Sequence, residues 1–126
     1  MNNFFKIPLI IISALTLSAC ASNPRIEYLS GEQRSKAINM PVYKNNPLSP
    51  NAKTIKAVDG LSCNRNKYQA PDISESEALE GVKIKAAMLN ADAVVNTICQ
   101  KNSDTDWINN CWASVKCIGD AVTIVK

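Results

Sequence analysis

The chain contains no histidine. The commonest general base and the commonest metal ligand are therefore both missing, which counts against most enzyme chemistries at once. Its five cysteines include no Cys-x-x-Cys pair, the spacing that a thioredoxin-like redox site or a zinc knuckle uses. A glycine-rich phosphate loop is also lacking, and with it the signature of nucleotide chemistry. Nor does one sign of charge dominate, since 14 Lys and Arg face 11 Asp and Glu for a net charge of +3. That near balance offers no electrostatic reason for nucleic-acid binding. These absences leave no cofactor to expect and favour a protein that is not an enzyme.

What is present begins with an export address. Met1-Asn2-Asn3 and Lys6 form a polar, weakly basic start, and Ile7 through Leu17 is apolar, the layout of a secretory signal peptide. The run is too short for a permanent transmembrane helix, which needs about 20 residues, and it has no stop-transfer flank. It ends in Leu17-Ser18-Ala19-Cys20, which looks like the bacterial lipobox. Small residues there fit the signal peptidase, and the cysteine thiol takes a diacylglyceryl group. Residues 1–19 are thus expected to be removed, leaving Cys20 as the lipid-bearing first residue. A single acyl chain holds a protein only marginally, at about 0.8 kcal/mol per buried methylene, whereas three chains anchor it firmly. Ala21, in place of an aspartate, resembles the pattern forwarded to the outer membrane. The expected location is the outer membrane, with the folded part in the periplasm or partly displayed outside.

Cleavage removes Lys6 and no acid, so 13 basic and 11 acidic side chains remain and the net charge becomes +2. Residues 20–37, polar and broken by Pro24 and Gly31, read as a flexible tether, with Ile26, Tyr28 and Leu29 its only apolar group. Residues 38–126 suffice for one small domain. Ile38–Lys44 suits a short strand, which Pro41 places at a sheet edge or strand start. A turn-rich stretch, Asn45 to Pro50, separates it from a second strand around Thr54–Leu61.

Ser74-Glu75-Ser76-Glu77 has the capping-box arrangement, in which serine and glutamate satisfy the orphan donors at a helix start. Leu79, Val82, Ala86 and Leu89 then recur at helical spacing, with Ala78 and Ala87 flanking the stripe. That stripe is expected to pack on a sheet. Asn90-Ala91-Asp92 ends the helix, and Ala93–Cys99 is an apolar, β-branched run suited to a strand buried within the sheet. A polar loop, Asn102 to Asn110, carries Trp107 and is expected to face solvent apart from the indole. The last segment, Cys111 to Val125, alternates as a strand, with Gly119-Asp120 a candidate bulge or kink. The expected fold is α+β, a sheet of about four strands with one main helix packed on it.

Cys63, Cys99, Cys111 and Cys117 remain after the lipidated cysteine. In an exported domain an even number reads as two structural disulfides, because the periplasm is kept oxidising. If Cys111 and Cys117 share one extended strand they stand about 20 Å apart, at about 3.3 Å per residue, too far to bond to each other. Two pairings remain open, each tying the last strand to Cys63 and to Cys99.

The same cysteines carry a resemblance. Cys63, a helix ending in Leu89-Asn90-Ala91-Asp92-Ala93-Val94-Val95, Cys99, a polar loop, Cys111 and Val115-Lys116-Cys117-Ile118-Gly119-Asp120-Ala121 resemble the RcsF family, outer-membrane lipoproteins that report envelope damage to the Rcs phosphorelay. The resemblance covers roughly residues 39–126 plus the lipobox. It implies nonconsecutive disulfides, Cys63 with Cys111 and Cys99 with Cys117. It also implies signalling by contact: the lipoprotein is held by a BamA-type assembly protein and porins in a healthy envelope, and reaches an IgaA-type inner-membrane repressor under stress. The segment after Cys20 departs from the family, having only Pro24 where enteric members carry a long proline- and lysine-rich stretch. Composition fits equally well a second class, a non-signalling assembly or structural lipoprotein that binds outer-membrane proteins or peptidoglycan. Trp107, Trp112 and Tyr68 are the aromatic candidates for a binding surface.

Overall fold

The computed structural model describes residues 23–66 and 73–126. The signal segment, Cys20 and Tyr68 lie outside the described residues. The domain is α+β, with helices α1 (Gly31–Ile38) and α2 (Glu75–Met88) and strands β1 (Ala52–Asn64), β2 (Ala93–Asn102) and β3 (Ala113–Ile124). β3 lies between β1 and β2 and is antiparallel to both. β1 and β2 therefore run in the same direction, and α2 carries the chain from one to the other across a face of the sheet, a split β-α-β arrangement.

The core lies between α2 and that face. Ala78, Val82, Ala86 and Ala87 of α2 are buried with Val58, Val94, Val115, Cys117 and Ala121 of the strands. The close approach is made by a glycine: a Cβ on Gly60 would fall on the Ala78 carbonyl oxygen and 2.7 Å from the Val82 nitrogen. On the opposite face a smaller cluster, Ala93, Val95 and Val122, is covered by Tyr43 and Leu48.

The ends of α2 follow the sequence signals, with one change. Ser74 Oγ accepts from the Glu77 N–H at 3.1 Å, but Glu77 does not reach back to the Ser74 backbone. Ser62, fully buried on β1, stands between them: its Oγ accepts from the Ser74 N–H at 2.9 Å and donates to Glu77 Oε2 at 2.8 Å. One hydroxyl from the sheet thus completes the cap and pins the first turn of α2 to β1. At the other end Asn90 adopts left-handed φ of 56°, and the Ala91 N–H bonds to the Ala86 carbonyl at 3.0 Å, a closure of the Schellman kind.

Several expectations are corrected. The sheet has three strands, not four. Ile38 closes α1, and the segment after it lies along the outer edge of β2, joined by the parallel Val42–Val94 bridge and by backbone hydrogen bonds from Val94 to Pro41, Tyr43 to Val94, Thr97 to Tyr43 and Asn96 to Asn45 at 2.9–3.1 Å. The Pro41 carbonyl accepts from the Val94 N–H at 2.9 Å, but proline has no N–H with which to extend a ladder. Ala93, Val94 and Val95 are buried, as expected of a strand within the sheet, and β2 lies between β3 and the segment 41–45, while β3 takes the centre of the three strands. Gly119-Asp120 is not a bulge. β3 runs through it unbroken, and the register shifts fall on the neighbours, between Thr54 and Lys56 and between Val95 and Ile98, where Asn96 has φ of 53°.

The largest correction concerns the tether. Residues 23–37, expected in the tether, pack against the rest of the fold. Ile26–Tyr28 forms a 3-10 turn, and α1 opens with a full capping box between Ser30 and Gln33. Leu29 and Ala37 are buried, Ile26 packs against the core, and α1 lies on α2. Asn23 acts as a surrogate strand at the free edge of β1: Nδ2 donates to the Leu61 carbonyl at 2.7 Å and Oδ1 accepts from the Leu61 N–H at 2.9 Å. Gly81 of α2 makes room for it, since a Cβ there would overlap the Asn23 carboxamide. This contact shields part of an edge that would otherwise present unpaired backbone groups.

Candidate functional site

Both disulfides form at one end of the sheet. Cys63, next to the last residue of β1, is bonded to Cys111, two residues before β3, with Cα atoms 5.5 Å apart. Cys99 and Cys117 are direct partners in the β2–β3 register and are bonded across it, with Cα atoms 4.0 Å apart. The start of β3 is thereby tied covalently to both neighbours. The pairing is the nonconsecutive one that the resemblance implies. All four described cysteines are consumed by these bonds, so none is available as a nucleophile or thiolate ligand.

The crosslinks frame the loop between β2 and β3. Asp106 organises its turn, accepting from the Asn109 N–H at 3.1 Å, from Asn109 Nδ2 at 2.8 Å and from Ser114 Oγ at 2.9 Å. The Asn109 amide, foremost among these donors, holds the Asp106 carboxyl below its ordinary range. Backbone hydrogen bonds in both directions between Asp106 and Cys111, at 2.7 and 2.9 Å, close the loop. Its two apolar residues then project outward, Trp107 83% and Ile108 95% exposed. The expectation that the indole is tucked away is thus corrected: a loop closed on four residues between Asp106 and Cys111 has no inward space for a side chain of that size. Trp112, 41% exposed, flanks Cys111, and its backbone N–H donates to the Asn64 carbonyl at 2.7 Å.

Sequence reasoning did not single out Ile98 and Ile118. They are partners across β2 and β3 on the face away from α2, and are 65% and 48% exposed. The alternation around Cys99 and Cys117 carried the signal: with the cysteines turned toward α2, their neighbours must turn outward.

Charge is concentrated at Asp59, which joins the two layers at the edge of the sheet. Lys85 of α2 donates to it at 2.8 Å and Lys116 of β3 lies 3.8 Å away. The Lys85 hydrogen bond, with the positive charge of both lysines, outweighs partial burial and lowers the Asp59 carboxyl below its ordinary value. A lowered carboxylate stabilises the fold at pH values where it is ionised, and that contribution fades as the pH falls through the folded-state value. Asp59→Asn is therefore expected to lower the urea midpoint at pH 7, and its difference from wild type should shrink steadily once the pH drops below about 4. An equal difference at pH 7 and pH 3 would show that the ion pairs contribute nothing.

Among the described residues there is no group of three or more His, Cys, Asp or Glu that could hold a metal, and no helix long and apolar enough to cross a membrane. The geometry defines a disulfide-clamped α+β module, and its exposed apolar residues include the Trp107-Ile108 tip and the Ile98-Ile118 pair. No family model matches this chain, and no curated protein is similar to it at a significant level.

Proposed function

We propose that this protein is an outer-membrane lipoprotein, anchored through acylated Cys20, that senses envelope stress and signals to an Rcs-type phosphorelay by contact with an inner-membrane repressor of the IgaA type. One observation carries the reading: the four cysteines pair as Cys63–Cys111 and Cys99–Cys117, the order implied by the resemblance to the RcsF family. An α+β module with exposed apolar surfaces and its cysteines spent on crosslinks is suited to binding. In a healthy envelope the partners are a BamA-type assembly protein and porins; under stress the repressor replaces them.

The test is crosslinking of the lipidated protein in its own host, followed by mass spectrometric identification of what is captured with and without envelope damage. Capture of an IgaA-like repressor that rises with damage is the expected result. Capture of outer-membrane proteins or peptidoglycan alone, unchanged by damage, would overturn the signalling role and point to an assembly or structural lipoprotein.

A further inference from the structure

We infer that the Trp107-Ile108 tip is a membrane-contact element, seated in the interfacial layer of the same bilayer that holds the acyl chains. The inference rests on lipidation of Cys20 as proposed above. Asn23 is a fixed point close in sequence to the lipidation position. The Asn23 carboxamide is fixed to the Leu61 backbone by two hydrogen bonds. Cys20 stands three residues before Asn23, and three residues span at most about 10 Å. The bilayer surface therefore passes close to the end of the domain that Leu61 occupies, whatever path those residues take.

That end also carries the exposed tip. Two residues beyond Leu61, Cys63 is bonded to Cys111 with Cα atoms 5.5 Å apart, and Cys111 closes the loop against Asp106. Trp107 and Ile108 project from this loop, and they are the two most exposed large apolar residues among those described. By contrast, the exposed Ile124 and Val125 lie at the far end of β3, about 35 Å away along the strand.

The chemistry of the tip suits a lipid interface. Tryptophan combines a broad apolar body with one N–H donor and collects at the headgroup level, where an adjacent isoleucine can enter the acyl boundary. The neighbouring carboxylate Asp106 is turned onto Asn109 and Ser114, and so is satisfied within the loop. Asp104 also flanks the tip, which favours a zwitterionic surface over a strongly anionic one.

The experiment uses the mature acylated protein reconstituted in phosphatidylethanolamine/phosphatidylcholine vesicles, alongside its Trp107→Phe variant. The chain has two tryptophans, so the difference in emission between the two proteins reports Trp107 alone, and the substitution is at an exposed site that folding does not need. Flotation with the vesicles first establishes anchoring. The expected result is a Trp107 emission shifted to the blue, quenched by brominated acyl chains and shielded from aqueous acrylamide. Flotation with Trp107 open to acrylamide and untouched by brominated lipid would overturn the inference while leaving the anchor intact. Failure of the protein to float would overturn the anchor, and the inference with it.

Discussion

Gly60→Ala is expected to destabilise the domain severely, bringing it toward the edge of folding. A single methyl group at this position is directed at the Ala78 carbonyl oxygen and the Val82 nitrogen, atoms of the α2 backbone that no rotamer change can move. Accommodation requires α2 to lift away from β1, which opens the core around Val58 and Val82 and pulls Ser62 away from the helix cap. Overpacking against side chains commonly costs about 1–3 kcal/mol. Here the obstacle is backbone on both sides, and a loss of about 4 kcal/mol or more is expected, outside the usual range for a point substitution. Small domains hold only about 5–15 kcal/mol in total. Urea titration followed by circular dichroism measures the loss, with Gly31→Ala as control: a Cβ there meets nothing within 4 Å, so that variant should be neutral or slightly stabilised. A Gly60→Ala protein within about 1 kcal/mol of wild type would mean that α2 does not sit as described.

The second large effect is expected from the disulfides, and it should be unequal. The Cys63–Cys111 bond joins residues 48 apart and Cys99–Cys117 joins residues 18 apart. In the chain-entropy account these loops correspond to about 4 and about 3 kcal/mol. The shorter bond also links residues that the sheet register already holds opposite each other, whereas the longer one fixes a loop with few other ties. Paired alanine variants, Cys63→Ala with Cys111→Ala and Cys99→Ala with Cys117→Ala, avoid both a stray thiol and a buried hydroxyl at the enclosed positions 111 and 117. Removal of the longer crosslink should lower the unfolding free energy more, and should also loosen the loop that presents Trp107. Denaturant midpoints give the order; a reversed order would show that strain or residual structure, not loop closure, dominates the crosslinks' contribution.

Much of this architecture is written in short stretches of sequence. Ser74 and Asn90 bound α2 because capping depends on residues within four positions of one another. The strands around Val58, Val95 and Val115 follow from β-branched runs and alternation, and the extended spacing from Cys111 to Cys117 excluded one of three disulfide pairings before any fold was known. The α+β class and the use of Cys63, Cys99, Cys111 and Cys117 in two disulfides were legible for the same reason: each depends on local pattern or on counting.

What the tertiary structure decided involves partners far apart in the chain. Asn23 meets Leu61 across 38 positions, so a segment without helical period or strong apolar content reads as tether until the edge of β1 and the gap over Gly81 are in place to receive it. The central position of β3 is set by pairing with strands on both sides. A run that joins a full ladder and one that only lies along the sheet's margin look alike in sequence, which is why Ile38–Lys44 reads as a strand. The outward setting of Trp107 depends on Asp106 closing the loop against Cys111 and Ser114. Composition and local spacing determined α2 and the three strands; α1, strand order, the docking of residues 23–38 and the exposed tip arise from contacts whose energy appears only when the chain has brought distant residues together.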